Sequence, residues 1–212
     1  MKTSYSLFIF FAFLLSSCFH KIVRVACIGD SITEGYGLAV QSKTAYPVIL
    51  NNMLGTKYSV LNCGRSATTL QKKGDFPYWI SKEFSNVFVY KPNIIIIKLG
   101  TNDTKPYNWY ADAYEKDYQA LIDTLQTIST HPKIYVCLPV PAFKTRWGIN
   151  DSTLVHGVIP IVEKLAQKNK LSVIDLYHGL SEEAANFPDS IHPNEKAAKV
   201  MASIVANKIT QK

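Results

Sequence analysis

Along this chain, short apolar runs alternate with longer stretches in which apolar residues recur every three or four positions. The apolar runs predict strands over 22–28, 58–62, 93–99, 133–138 and 171–175. The run Ile94-Ile95-Ile96-Ile97 is β-branched and lacks polar alternation, as expected of a central parallel strand covered on both faces. Between the strands, the spacing predicts helices over 45–54, 76–84, 111–128 and 154–168. A last helix is predicted over 194–209, with Ala197, Val200, Met201, Ile204 and Val205 on one face, Asn194 as its cap and Glu195 in its first turn. Strand–helix alternation with crossovers of this length implies a doubly wound parallel α/β sheet. No linker, repeat or composition break divides it, so residues 22–212 are read as one domain.

The beginning of the chain follows another pattern. Lys2 precedes an apolar run over 7–15, and Ser16-Ser17-Cys18 follows it. A basic start, an apolar stretch and small residues make a secretory signal peptide over 1–17. The run is about half of the ~20 residues that a spanning helix needs. Leu15-Ser16-Ser17-Cys18 resembles the bacterial lipobox, which implies cleavage before Cys18 and lipidation there. The expectation is an exported lipoprotein, anchored in the membrane by lipid alone and facing the periplasm or cell surface; ordinary cleavage nearby would make it secreted or periplasmic.

Composition changes this picture little. The chain of 212 residues is 47% hydrophobic and 18% charged, an ordinary globular balance that excludes disordered and low-complexity classes. Its formal charge of +7 invites a nucleic-acid reading, but the basic residues are dispersed and only Arg24, Arg65 and Arg146 are arginines. Phosphate- and base-reading surfaces favour arginine, so no nucleic-acid partner is expected. Four cysteines are too few for a disulfide scaffold. Cys27, Cys63 and Cys137 lie in or beside apolar runs and read as buried free thiols; no Cys/His cluster suggests a metal.

In a doubly wound sheet, ligands bind at the carboxyl ends of the strands. Four turns of small and polar residues fall at that edge: Gly29-Asp30-Ser31, Asn62-Cys63-Gly64-Arg65-Ser66, Gly100-Thr101-Asn102-Asp103, and Asp189-Ser190-Ile191-His192-Pro193. A hydroxyl nucleophile needs a base, a group that orients the base, and donors for the developing oxyanion. Ser31, on a tight strand-to-helix turn, suits the nucleophile. His192 suits the base, and Asp189, three residues earlier, the group that fixes its tautomer. The Ser31 and Gly64 N–H groups and the Asn102 amide are the candidate oxyanion donors. Asp30 reads as ordering its turn and Asp103 as a local support for Asn102. Ser66 is a rival nucleophile, but it lacks the second glycine of a G-x-S-x-G elbow. His20, His131, His156 and His178 sit in no comparable motif and read as surface or structural residues.

These four segments, in this order, resemble the SGNH (GDSL) hydrolase family. The likeness rests on Gly29-Asp30-Ser31, Gly64, Gly100-Thr101-Asn102-Asp103 and Asp189-Ser190-Ile191-His192. It implies a flavodoxin-like α/β/α sandwich with a five-stranded parallel sheet, and serine-esterase chemistry with no metal or organic cofactor. The stretch 99–109 looks most like carbohydrate O-acetylesterase members, including sialate O-acetylesterase-like proteins. On that resemblance the expected substrate is an acetylated glycan or small-molecule ester. Arg65, Trp109, Arg146 and Trp147 are candidate substrate contacts, with Tyr107, Tyr110 and Phe143 as further aromatic rings near the site. A lysophospholipase or thioesterase of the same family and a catalytically inactive glycan-binding lipoprotein are the alternatives.

Overall fold

The computed structural model describes residues 21–211. The leader 1–17, Cys18 and His20 therefore lie outside the described residues. Five parallel strands form the sheet: β1 (Val23–Gly29), β2 (Tyr58–Gly64), β3 (Ile94–Lys98), β4 (Lys133–Leu138) and β5 (Ser172–Asp175). Their spatial order is β2-β1-β3-β4-β5, as a flavodoxin-like sandwich requires.

Alternation within each strand splits the apolar runs between two cores. Ile95 and Ile97 face one layer and Ile94 and Ile96 the other, which explains why β3 has no polar position over this run. The first layer contains α4 (Lys82–Tyr90), α5 (Ala111–Gln126) and α7 (Ile159–Asn169), which bury Val87, Tyr118 and Val162. On the opposite face lie α3 (Tyr46–Leu54) and α9 (Glu195–Thr210), packed together through residues that include Leu50 and Met201. Short helices α1 (Ser31–Glu34), α2 (Gln41–Thr44), α6 (Asp151–Thr153) and α8 (Leu176–Gly179) complete the set used below. A π-helical turn, Leu154–Val158, joins α6 to α7.

The helix predicted over 76–84 is displaced. Residues 76–78 are instead tied to Thr69, whose N–H donates to the Phe76 carbonyl and whose carbonyl accepts from the Tyr78 N–H, both at 2.9 Å, and Tyr78–Ile80 make a single 3-10 turn. Helix α4 begins later because the Ser81 hydroxyl accepts from the Phe84 N–H at 3.1 Å. This cap outweighs the apolar spacing around Pro77. The predicted cap of the last helix is present: Asn194 Oδ1 accepts from the N–H groups of Lys196 and Ala197.

Register places the functional edge. Gly29 pairs with Gly64 of β2 and with Lys98 of β3, so three strands end level. Chain direction diverges from β1 toward opposite neighbours at this point, which leaves a crevice between the outgoing loops. Cys27, Cys63 and Cys137 are buried free thiols, and burial pushes those of Cys63 and Cys137 up to about 12. They are packing residues in this state.

Candidate active site

Ser31 opens α1 directly after β1. Asp30 precedes it and fixes the turn, since its Oδ1 accepts the Ile32 N–H at 3.0 Å. The same carboxylate lies 3.0 Å from Lys98 Nζ through both oxygens, and Lys98 also donates to Thr101 Oγ1 at 2.9 Å. Both charged side chains are fully buried. Burial lowers the Lys98 ammonium below its ordinary value despite the opposing pull of Asp30. Lys98 was not distinguished by the sequence pattern; its one signal is a charge ending an isoleucine run. Asp30 thus connects the end of β1, the start of α1 and the end of β3.

Two further contacts locate the second loop. A Cβ added at Gly64 would lie 2.1 Å from the Glu34 nitrogen, so the backbone of α1 packs where a side chain would stand. The Glu34 carboxylate accepts the Ser66 N–H at 2.9 Å and also the Ser66 hydroxyl. Ser66 lines the cavity described below, but its hydroxyl is directed to that carboxylate. Asp103 is fully buried and accepts the Leu70 and Gln71 N–H groups, each at 2.9 Å. Burial pushes its carboxyl up to about 6, against the pull of those donors. The expectation that Asp103 supports Asn102 directly is corrected: it clamps the loop after β2, while Asn102 Nδ2 donates to the Thr68 carbonyl at 3.1 Å.

From the other end of the chain, the loop before α9 brings in His192. Ser31 Oγ lies 2.9 Å from His192 Nε2, and His192 Nδ1 lies 2.7 Å from Asp189 Oδ2. The other Asp189 oxygen accepts the N–H groups of Ile191 and His192, at 2.9 and 2.7 Å. Burial raises the Asp189 carboxyl, yet these N–H donors and the imidazole outweigh it and hold it below its ordinary value. The carboxylate is therefore fixed by backbone before it engages the ring.

A cavity of about 190 Å³ opens beside these groups, lined by Ser31, Tyr36, Asn102, Trp147, Ile149 and His192 among others. Among the described residues the Ser31 N–H has no backbone or side-chain acceptor. Asn102 lines the same cavity, and its amide carries a second hydrogen beyond the one donated to the Thr68 carbonyl. The third expected donor differs: the Gly64 N–H donates to Asn62 Oδ1 at 2.9 Å. Sequence reading missed Tyr36, whose ring centroid lies 4.7 Å from that of His192.

The expected substrate contacts separate clearly. Trp147 lines the cavity, 5.8 Å from the His192 ring. It sits on a tight turn between Arg146 and Ile149, which exchange backbone hydrogen bonds at 3.0 and 2.9 Å. Its φ of 52° and the 82° of Gly148 give a turn with two left-handed residues, costly for a ring as large as indole. Arg146 lies over this indole, 4.4 Å from its centroid, outside the cavity lining. Arg65 is exposed and does not line the cavity. Trp109 is corrected outright: it packs on Tyr114 at 5.4 Å and fills the space left by Gly157, as part of the first core. Phe143 packs on Phe187 at 4.9 Å, and Tyr107 and Tyr110 are exposed outside this cavity.

Known proteins share both pattern and architecture. The model of the GDSL-like lipase/acylhydrolase family matches residues 27–200. An acetylxylan esterase of Xylanibacter ruminicola is 40% identical over 203 residues, 87% of this chain; the chain spans 42% of that relative's length. Two solved structures share the fold. The lipase/acylhydrolase from Enterococcus faecalis has a TM-score of 0.72 at 17% identity, covering 89% of this chain and 95% of that one. The M. smegmatis aryl esterase has a TM-score of 0.71 at 21% identity, covering 88% and 98%. With all four blocks on one sheet edge and the family model spanning most of the sequence, this chain belongs to the GDSL-like lipase/acylhydrolase family.

Proposed function

We propose that this protein is a serine esterase that removes O-acetyl groups from carbohydrates. The observation that carries it is the hydrogen-bonded line Ser31–His192–Asp189 running into a small cavity with unspent N–H donors. In the reaction, Ser31 Oγ attacks the ester carbonyl while its proton passes to His192 Nε2. The Ser31 N–H and the Asn102 amide receive the negative charge that develops on the carbonyl oxygen. As the tetrahedral intermediate collapses, the carbon–oxygen bond to the alcohol breaks and Nε2 returns the proton to that oxygen. Water then attacks the acyl-enzyme, gives a proton to Nε2, and acetic acid leaves as Ser31 regains its hydrogen. Asp189 holds the Nδ1 proton throughout, which keeps Nε2 available.

Cavity size supports a short acyl group. At about 190 Å³ it falls below the roughly 300–1,000 Å³ of sites that enclose drug-sized ligands. The likeness to an acetylxylan esterase supports the same reading and a glycan as the alcohol. A series of p-nitrophenyl esters from acetyl to dodecanoyl tests it: kcat/KM should be highest at acetyl and fall with length. A maximum at octanoyl or beyond overturns the acetylesterase reading in favour of a lysophospholipase or thioesterase.

We also propose that residues 1–17 direct export and that Cys18 carries a lipid, on the strength of the leader pattern and lipobox. Mass spectrometry of the mature amino terminus should find a diacylated or triacylated Cys18. An unmodified terminus elsewhere removes the anchor.

A further inference from the structure

A second cavity, of about 230 Å³, lies on the far side of the Tyr36 ring. Its lining includes Tyr36, Leu38, Ala39, Pro188, Pro193 and Glu195, and it also touches Asp189 and His192. Tyr36 and His192 are the residues common to this cavity and the one holding Ser31. Tyr36 is 49% exposed, and its N–H donates to the Ser31 carbonyl at 2.9 Å. Its ring thus borders both spaces, 4.7 Å from the imidazole that also lines both.

Each cavity alone is smaller than an ordinary small-molecule site, whereas the two together fall within the usual range of about 300–1,000 Å³. Their linings differ in kind. The Ser31 side has the reacting atoms and oxyanion donors. The far side has neither the nucleophile nor the oxyanion donors; beside His192 and Asp189 it offers an aromatic face, two proline rings, aliphatic walls and the Glu195 carboxylate. Apolar faces suit the C–H surface of a pyranose ring, and a carboxylate at the rim accepts hydroxyl hydrogen bonds. Asp189 and Glu195 both border this space, so a negatively charged ring is disfavoured.

We propose that this far cavity is a glycan subsite for an uncharged sugar adjoining the acetylated residue, and that Tyr36 is the partition across which the two neighbouring units lie. The proposal rests on the carbohydrate esterase reading above and assigns where the unreacted part of the substrate binds. Contacts to that part favour the oligomer over a small ester, because remote binding energy raises kcat/KM at the reacting centre.

The test compares two substrates in the wild type and three variants. p-Nitrophenyl acetate occupies the Ser31 side alone, whereas an O-acetylated β-1,4-xylo-oligosaccharide occupies both. Ala39→Trp fills the far cavity from an exposed position that does not line the Ser31 cavity. The ratio of kcat/KM on the oligosaccharide to that on p-nitrophenyl acetate should fall about tenfold or more. Tyr36→Ala should lower the ratio similarly by removing the stacking face, and Tyr36→Phe should restore it. A ratio that stays constant in Ala39→Trp and Tyr36→Ala, with both activities falling together or neither changing, overturns the subsite. A wild-type protein that hydrolyses neither substrate overturns the esterase reading, and the subsite with it.

Discussion

Ser31→Ala lowers kcat on p-nitrophenyl acetate by about 10⁴- to 10⁶-fold, and His192→Ala lowers it by a similar factor. The reason is that the two residues act as one unit. Without the hydroxyl there is no acyl-enzyme; without the imidazole the hydroxyl keeps its proton, and the 2.9 Å line between them has no other purpose. The double variant should therefore be no slower than either single variant, because removing the second member of a broken unit costs nothing more. Folding should be almost unaffected, since Ser31 loses a single hydrogen bond of about 1 kcal/mol. Steady-state turnover beside thermal unfolding checks both statements. A Ser31→Ala protein within tenfold of wild type would show that the nucleophile lies elsewhere. Ser66→Ala would then be the variant to measure, as that hydroxyl also borders the cavity.

The second large effect concerns stability. Lys98→Met leaves the Asp30 carboxylate fully buried without its ammonium partner. Breaking a buried pair in this way costs about 3–5 kcal/mol. For a domain of this size, each kcal/mol shifts Tm by about 2–4 °C, so a fall of about 6–20 °C is expected. Lys98→Met combined with Asp30→Asn should recover much of the loss, because the amide needs no counter-charge and its oxygen still accepts the Ile32 N–H. A single variant as stable as wild type would mean that the pair contributes little. A double variant no better than the single would mean that the lysine acts through packing.

How much of this was legible in the sequence depends on the range of the interaction. The isoleucine run of β3 and the Asn194 cap are local patterns, and both elements lie where local rules put them. The four polar turns were legible for a related reason: each follows or precedes a regular element, and a parallel sheet brings such turns to one edge. Misreadings came where partners are distant. The segment 76–80 has helical spacing, but its first residues pair with Thr69, which no periodicity encodes, and only a 3-10 turn follows. Trp109 and Trp147 look alike as aromatic residues in predicted loops. One fills the space over Gly157 and the other borders the cavity, a difference set by chain crossings far apart in sequence. The Gly64 N–H is a local exception: its acceptor, Asn62, lies only two residues back and competes with the oxyanion role that its place in the motif suggests. Lys98 reads as the polar end of a strand until Asp30 is placed beside it, 68 residues away.

One contact described above also bears on how the molecule assembles. Ser31 and His192 are separated by 161 positions in sequence. The chain between them supplies four of the five strands, β2 on one side of β1 and β3, β4 and β5 on the other, so the contact closes over most of the sheet. Contacts of such high order are expensive in loop entropy and form late. No locally folded fragment can hold both atoms at reacting distance. Regain of turnover during refolding is thus a clock for the last long-range closure, whereas helical signal, from segments such as α5 and α7, reports earlier and more local events.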